Sequence, residues 1–239
     1  MKKILLILPT LNEVNNIKEL YFLINKLNYN FNYLFIDHGS IDGTQKIIKN
    51  FQIKNPKKNF IIQKKNREGI GKAHKDGLSW AFKKKYNLAI TMDTDFAHHP
   101  NYISKLLNQI NKTDLVVGSR YLKKDSAPDW SIFRKFLSRG AHLMTFILFG
   151  MKFDTTNSFR CYNLNTLNPN FLKDCKSNDY DFFFTSMAIL NLRKYKISQI
   201  SMRIRGRVDG NSKMLLKHMF KSITNMFVLF IKIKIGIIK

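Results

Sequence analysis

Short apolar runs alternate with helical patterns through the first hundred residues, and no other feature constrains the fold so strongly. Leu5 to Leu8 reads as a strand, followed by a helix from about Glu13 in which Ile17, Leu20, Leu23, Ile24 and Leu27 share one face. Tyr33 to Ile36 and Phe60 to Ile62 are further strands, and Asp42-Gly43-Thr44 opens the helix between them. Gly71 to Tyr86 is a helix with Ala73, Gly77, Trp80 and Ala81 on its packing side, and Leu88 to Met92 is the next strand. Such alternation predicts an α/β fold with a central, mostly parallel sheet flanked by helices. Three of the strands end on polar residues, Asn12-Glu13, Asp37-His38 and Asp93-Thr94-Asp95. In open α/β sheets ligands gather at that edge, so these groups are expected to converge.

Beyond Arg120 the alternation fades. Residues 123–129, with Pro128, read as a loop leading into a helix from Trp130 through Phe149. Toward the end, Met219, Phe220, Ile223, Met226, Phe227, Phe230 and Ile231 recur at helical spacing with Lys217, Lys221 and Lys232 between them. Lys221, Lys232 and Lys234 make crossing of a membrane unfavourable. An in-plane amphipathic helix with its lysines among lipid phosphates, or a helix packed on the core, fits equally well. The expected division is a main domain over residues 1–213 and a helical tail over 214–239.

A chain of 239 residues is long enough for one large domain with a full core, and 44% hydrophobic residues exclude disorder. No signal-peptide pattern opens it. Lys and Arg number 41 against 16 Asp and Glu, a net charge of +25 that attracts polyanions such as nucleic acid, anionic lipid or phosphorylated substrates. Basic residues are dispersed and the aromatics follow core periodicity, which argues against a nucleic-acid binder. Only Cys161 and Cys175 are present, with no CxxC pair, so neither a disulfide framework nor a zinc cluster is indicated and a reducing cytoplasm fits.

Asp93 and Asp95, two residues apart after a strand, can both reach a hard divalent cation such as Mg²⁺ or Mn²⁺. Such an ion neutralises a diphosphate leaving group. Residues 37–44 (D-H-G-S-I-D-G-T) form a strand-to-helix turn in which Asp42 or Thr44 can cap the next helix, while Asp37 is placed to bond a base or ribose.

Taken in order, these segments resemble the family-2 glycosyltransferases of GT-A fold, whose leading motifs read P-x-x-N-E, D-D-x-S-x-D-G-T and DxD. More narrowly the chain is similar to the dolichol-phosphate mannose synthase branch. That likeness rests on residues 66–73 (N-R-E-G-I-G-K-A), 92–100 (M-D-T-D-F-A-H-H-P), 118–121 (G-S-R-Y), 130–138 (W-S-I-F-R-K-F-L-S), 154–160 (D-T-T-N-S-F-R) and 207–213 (R-V-D-G-N-S-K). The resemblance implies a nucleoside site at Pro9, Leu11, Glu13, Ile36, Asp37 and His38, and a metal and diphosphate site at Asp93 and Asp95 with Thr94 between them. It implies phosphate contacts from Arg120, Arg207 and Lys213, and an acceptor-side helix carrying Arg134 and Ser138. Asp95, Arg120 and Arg207 then carry the catalytic roles. His38 stands where the family usually has a second Asp, Ala97 where close relatives have a polar side chain, and Ser158 where a Gly is common.

The implied reaction moves a hexose, mannose as the first guess, from GDP-mannose or a UDP-hexose to a polyprenyl or dolichyl monophosphate, with inversion. A phosphate monoester, with a second pKa of about 6, is already largely dianionic near neutrality and needs no general base. The rival is a transferase acting on a saccharide hydroxyl, which does need one. The expected setting is the cytoplasmic face of an anionic membrane, peripheral; the sequence leaves open whether a separate membrane subunit takes part.

Overall fold

The computed structural model of the chain describes residues 2–124, 126–204 and 216–237. Strands β1 (Ile4–Thr10), β2 (Phe31–His38), β3 (Asn59–Lys64) and β4 (Leu88–Thr91) alternate with helices α1 (Ile17–Asn25), α2 (Thr44–Lys54) and α3 (Ile70–Lys83). After them come α4 (Tyr102–Gln109), β5 (Leu115–Ser119), α5 (Ile132–Phe149), β6 (Arg160–Asn163), α6 (Phe171–Asp174), α7 (Asp181–Leu192), β7 (Ile197–Ser201) and α8 (Leu216–Lys234). The seven strands form one sheet in the order β3-β2-β1-β4-β6-β5-β7. All neighbours run parallel except β6, which is antiparallel to both β4 and β5.

Alternation along the strands explains the two cores. Leu5, Ile7, Leu34 and Ile36 point to one side and pack with α3 and α7, whereas Leu6, Leu8, Tyr33 and Phe35 point to the other and pack with α1, α2 and α4. Both faces of β1 are covered, so the strand is apolar throughout. Small residues let α3 lie close to the sheet: a Cβ on Gly77 would come within 2.4 Å of Ile7 Cγ2 and 2.8 Å of Ile36 Cδ1.

Where the structure departs from expectation, tertiary context is the reason. Helix α1 begins at Ile17 rather than near Glu13, because residues 11–16 form a turn tied to the neighbouring loop. Helix α7 is buried on every side from Asp181 to Leu190, so it carries no amphipathic stripe to betray it. Helix α8 packs on the core on one side and leaves apolar residues exposed on the other. Met226 and Leu229 are buried in the α3/α7 core and Phe230 meets Phe149 of α5 edge-on, while Ile223, Phe227, Val228 and Ile231 remain exposed. Among the described residues no helix is long and apolar enough to cross a membrane.

The first turn of α3 lies directly against residues 178–182, with Lys72 N–H donating to Asn178 O at 3.0 Å. A Cβ on Gly71 would meet Asp179 O at 2.5 Å and Phe182 Cβ at 2.6 Å. Helix propensity favours alanine over glycine by about 1 kcal/mol, but a backbone carbonyl cannot step aside and overpacking costs about 1–3 kcal/mol. Gly71→Ala is therefore expected to lower the urea midpoint of unfolding.

His74, also on α3, is fully buried with neither ring nitrogen hydrogen-bonded, its ring edge-on to Phe183 at 4.9 Å. Burial, reinforced by the Arg160 charge, pushes its pKa down to about 3. The folded state thus binds fewer protons than the unfolded state between about pH 3 and the ordinary histidine value. Stability from this group is complete above about pH 6.5 and is lost as the pH falls below it, at about 1.4 kcal/mol per unit. His74→Met, which keeps the volume, is expected to flatten stability between pH 6.5 and 5 by about 2 kcal/mol relative to wild type, as read by denaturant titration.

Candidate active site

Strand β1 lies between β2 and β4, so the chain leaves it to one side and returns on the other, opening a cleft at the carboxyl ends of the strands. Two turns line its first wall. Asn12 takes a left-handed conformation (φ 53°), and its N–H donates to Ser40 Oγ at 2.9 Å while its side-chain oxygen accepts from Ile41 N–H. Glu13 N–H donates to Thr44 Oγ1 and Val14 N–H to Asp42 Oδ2, so the loops after β1 and β2 are stitched together. Partial burial would raise the Asp42 pKa, but hydrogen bonds from Thr44 and Val14 hold it below the usual carboxylate range. Asp42 does the work of a turn, with Gly43 in the left-handed region just before α2.

The cleft has a cavity volume of about 120 Å³. Pro9, Leu11, Glu13, Ile36 and His38 line it together with Asp93, Thr94 and Asp95. Asp37 is not at this surface. It is fully buried beneath the turn, where Oδ1 accepts from the N–H groups of Gly39 and Ser40 at 2.9 and 2.8 Å and Oδ2 has no protein partner. Its visible role is to shape the turn that presents His38. Burial lowers the His38 pKa against the opposing pull of Glu68 and Asp76, which favours a neutral imidazole.

On the metal side, Thr94 Oγ1 donates to Pro9 O at 3.1 Å and pins the Asp-Thr-Asp turn to the end of β1. Asp95 is buried and accepts from Ala97 N–H, across a Phe96 held at φ 59°. Asp93 is more open, and Ser158 Oγ donates to its Oδ2 at 2.7 Å. Ser158, where the family pattern has glycine, thus supports a carboxylate of the pair. Two carboxylates at a cleft wall, leaving the remaining positions to phosphates and water, match the oxygen ligation Mg²⁺ and Mn²⁺ accept. The chemistry of the donor set fits such an ion.

Residues 154–160 join this cleft to a second pocket. Arg160 is fully buried, with no carboxylate on it among the described residues. Its donors go to the carbonyls of Asn157, Thr155 and Phe183 at 2.7–2.9 Å and to Ser186 Oγ. At the other end of the segment Asp154, also fully buried, receives Arg120 through Nε at 2.8 Å and Nη2 at 2.7 Å. Burial opposes both charges, yet each holds the other: Arg120 keeps the Asp154 carboxyl below the carboxylate range, and the carboxylate lifts the guanidinium above its own. Arg120 is thereby a fixed cation in the wall of the second pocket, with two of its nitrogens spent on Asp154.

That pocket has a cavity volume of about 300 Å³, and its basic lining is Arg120, Lys123, Lys124, Lys135 and Arg139. Tyr121, Ser126, Trp130 and Ser138 complete its polar and aromatic wall, and no carboxylate is among the described residues lining it. Ser138 Oγ lies 2.8 Å from the Tyr121 hydroxyl, and Arg134 stacks over Trp130 at 4.0 Å from the ring centre. Next to the lining residues on α5, Ile132, Phe133 and Phe136 are exposed.

Of the residues singled out from the sequence, the donor-side set shares the first cleft apart from Asp37, and Arg120 and Ser138 share the second pocket. Arg134 lies beside the latter on Trp130. Arg207 and Lys213 lie outside the described residues. Sequence reasoning passed over Thr10, Arg67, Gly69, Tyr180 and Phe183, which also line the first cleft. Arg67 and Gly69 sit inside the N-R-E-G segment, so a signal existed; Phe183 arrives from the uniformly buried α7 and Tyr180 from the turn just before it, and neither offered one.

The Glycosyl transferase family 2 model matches residues 5–171. The chain is 28% identical over 217 residues to a polyprenol monophosphomannose synthase of Mycolicibacterium smegmatis, covering 89% of this chain and 81% of that protein. It is 27% identical over 214 residues to an undecaprenyl-phosphate mannosyltransferase of Micrococcus luteus, covering 89% and 87%. In fold it is similar to the glucosyl-3-phosphoglycerate synthase of Mycobacterium tuberculosis, solved with Mn²⁺, UDP and glucosyl-3-phosphoglycerate. The TM-score is 0.66 over 97% of this chain and 79% of that one, at 15% identity. The mixed sheet, the carboxylate-lined cleft at its switch point and a family match over most of its length together show that the chain belongs to glycosyl transferase family 2 and is a glycosyltransferase.

Proposed function

We propose that the enzyme transfers a hexose, mannose first, from a nucleotide diphosphate sugar to a polyprenyl or dolichyl monophosphate, inverting the anomeric carbon. The observation that carries this reading is the pairing of a carboxylate-bearing cleft with a pocket whose charged lining, among the described residues, is basic, the two joined by residues 154–158. The named activities of the two mannosyltransferase relatives support it.

In this reading Glu13, Ile36 and His38 receive the nucleoside and Pro9 and Leu11 pack against it. Asp93 and Asp95 would hold Mg²⁺ or Mn²⁺, which when bound supplies Lewis-acid stabilisation of the departing diphosphate. Arg120, Lys135 and Arg139 draw in the acceptor phosphate, with Arg207 and Lys213 assigned by resemblance to the same phosphate chemistry. A dianionic phosphate requires no general base, and none of the described residues lining the second pocket is a carboxylate. The exposed apolar residues of α5 and α8 would face the lipid, with the excess of basic residues toward an anionic, cytoplasmic membrane surface. The main domain then does the chemistry and residues from 214 onward contribute to membrane contact.

The deciding experiment incubates labelled GDP-mannose or UDP-hexose with a polyprenyl phosphate and Mn²⁺ or Mg²⁺, followed by partition into organic solvent and NMR of the anomeric proton. Label is expected in the organic phase with inverted configuration; label transferred only to a saccharide acceptor would refute the lipid assignment. Asp95→Asn is expected to lower kcat on the order of 10²–10³-fold, the scale of losing one preorganised stabiliser of developing charge. The double variant Lys135→Ala with Arg139→Ala is expected to raise KM for the lipid phosphate about tenfold or more while leaving KM for the donor near wild type, because a charged hydrogen bond contributes about 1.5–3 kcal/mol.

A further inference from the structure

A separate cluster lies at the outer end of the first cleft. The β2–β3 register pairs His38 with Lys64, and at Gly39 the backbone comes so near the end of β3 that a Cβ there would sit 2.7 Å from Lys65 O. This close approach brings the end of β2 against the start of α3. His38, Glu68 and Asp76 then each place a ligand atom within 4.8 Å of the others. Among the described residues it is the one such group of three.

Two observations distinguish the cluster from an ordinary surface network. His38 is 5% exposed, and its Nε2 is buried without a hydrogen-bond partner. Asp76 Oδ2 is likewise buried and without a partner. A buried, unsatisfied acceptor costs about 1–3 kcal/mol, and two in one cluster call for a shared occupant. Lys72 bridges Glu68 and Asp76, and Lys64 lies 3.5 Å from Glu68, but neither ammonium reaches the orphaned atoms. Both lysines are about one-third exposed on flexible stems, so a cation of higher charge density can displace them at little cost.

We propose that His38, Glu68 and Asp76 form a second divalent-cation site, distinct from Asp93 and Asp95, that takes a transition-metal ion of the Zn²⁺ type. One imidazole and two carboxylates suit Zn²⁺ better than Mg²⁺, which favours oxygen alone. Ligands of a tetrahedral zinc at about 2.1 Å lie about 3.4 Å apart, so the group closes with shifts on the order of 1 Å. Because His38 also lines the cleft, occupancy would lock the β2 turn to α3 beside the donor. The site does not depend on the transfer reaction and stands or falls apart from it.

The test is equilibrium dialysis of the full chain against Zn²⁺, with metal counted by mass spectrometry and Co²⁺ substitution followed by visible absorption. Asp95→Asn removes the competing pair. That variant is expected to keep one Zn²⁺ equivalent, and adding His38→Ala or Glu68→Gln to weaken its binding at least tenfold. Lys72→Ala, which removes the competing ammonium, is expected to tighten binding several-fold, and this arm holds even where a His38 variant fails to fold. Loss of all Zn²⁺ in Asp95→Asn, unchanged affinity in Glu68→Gln, or weaker binding in Lys72→Ala would each overturn the proposal.

Discussion

Strand β1 sits between partners reached in opposite directions, and everything at the active rim follows from that placement. The chain turns away from β1 toward β2 and comes back to pair β4 on the far side, so no crossover helix covers the carboxyl end of β1. The loops that leave β1, β2 and β4 must satisfy their polar groups on one another instead. They do so through Asn12 with Ser40 and Ile41, Glu13 N–H with Thr44, and Thr94 with Pro9. These contacts fix the cleft walls before any ligand arrives, which is preorganisation in its physical sense. The left-handed Asn12 and Phe96 are local strains that this mutual support sustains.

The second half of the rim depends on two buried guanidinium groups used in opposite ways. Among the described residues no carboxylate neutralises Arg160, which is held by carbonyls on two elements, and this ties residues 155–157 to α7. Arg120 is held by Asp154 through a two-point pair, and removing either partner would strand the other charge out of water at a cost of several kcal/mol. Between them runs a five-residue segment that holds Asp93 through Ser158 at one end and Arg120 through Asp154 at the other. A displacement of this segment is therefore felt in the cleft and in the cationic pocket together.

Much of the fold was legible because β1 to β4 are apolar runs separated by amphipathic helices, and the period change from 2 to 3.6 marks each boundary. The later elements were not, for physical reasons. β6 runs antiparallel and is only four residues long, and α7 is buried all round, so neither carries a diagnostic period. At the site, chemistry-bearing residues such as Glu13, Asp93 and Asp95 could be read from their place after strands. The supporting contacts could not, since Ser158 reaches Asp93 and Asp154 reaches Arg120 across 65 and 34 residues of chain. Asp37 shows what turn geometry adds to a strand-end reading. Position at a strand end was read correctly, but only the turn geometry reveals that both backbone donors of residues 39 and 40 take its carboxylate inward.

The net charge of +25 finds a local meaning once the surface is divided by chemistry. Five basic side chains converge on one pocket with no carboxylate among its described lining residues, while Ile132, Phe133 and Phe136 stand exposed on the helix that contributes Lys135 and Arg139. Helix α8 packs on α5 and adds Phe227, Val228 and Ile231 to the apolar exposure. A single amphipathic helix that is half buried would normally leave its charged face to water, yet α8 buries Met226 and Leu229 and still presents large apolar groups outward. Charge and apolar surface of this kind, side by side, have the same division as a lipid phosphate, whose head is a dianion and whose tail is hydrocarbon. The proposed acceptor would use both parts of this surface at once, whereas a saccharide would leave the apolar exposure without a role.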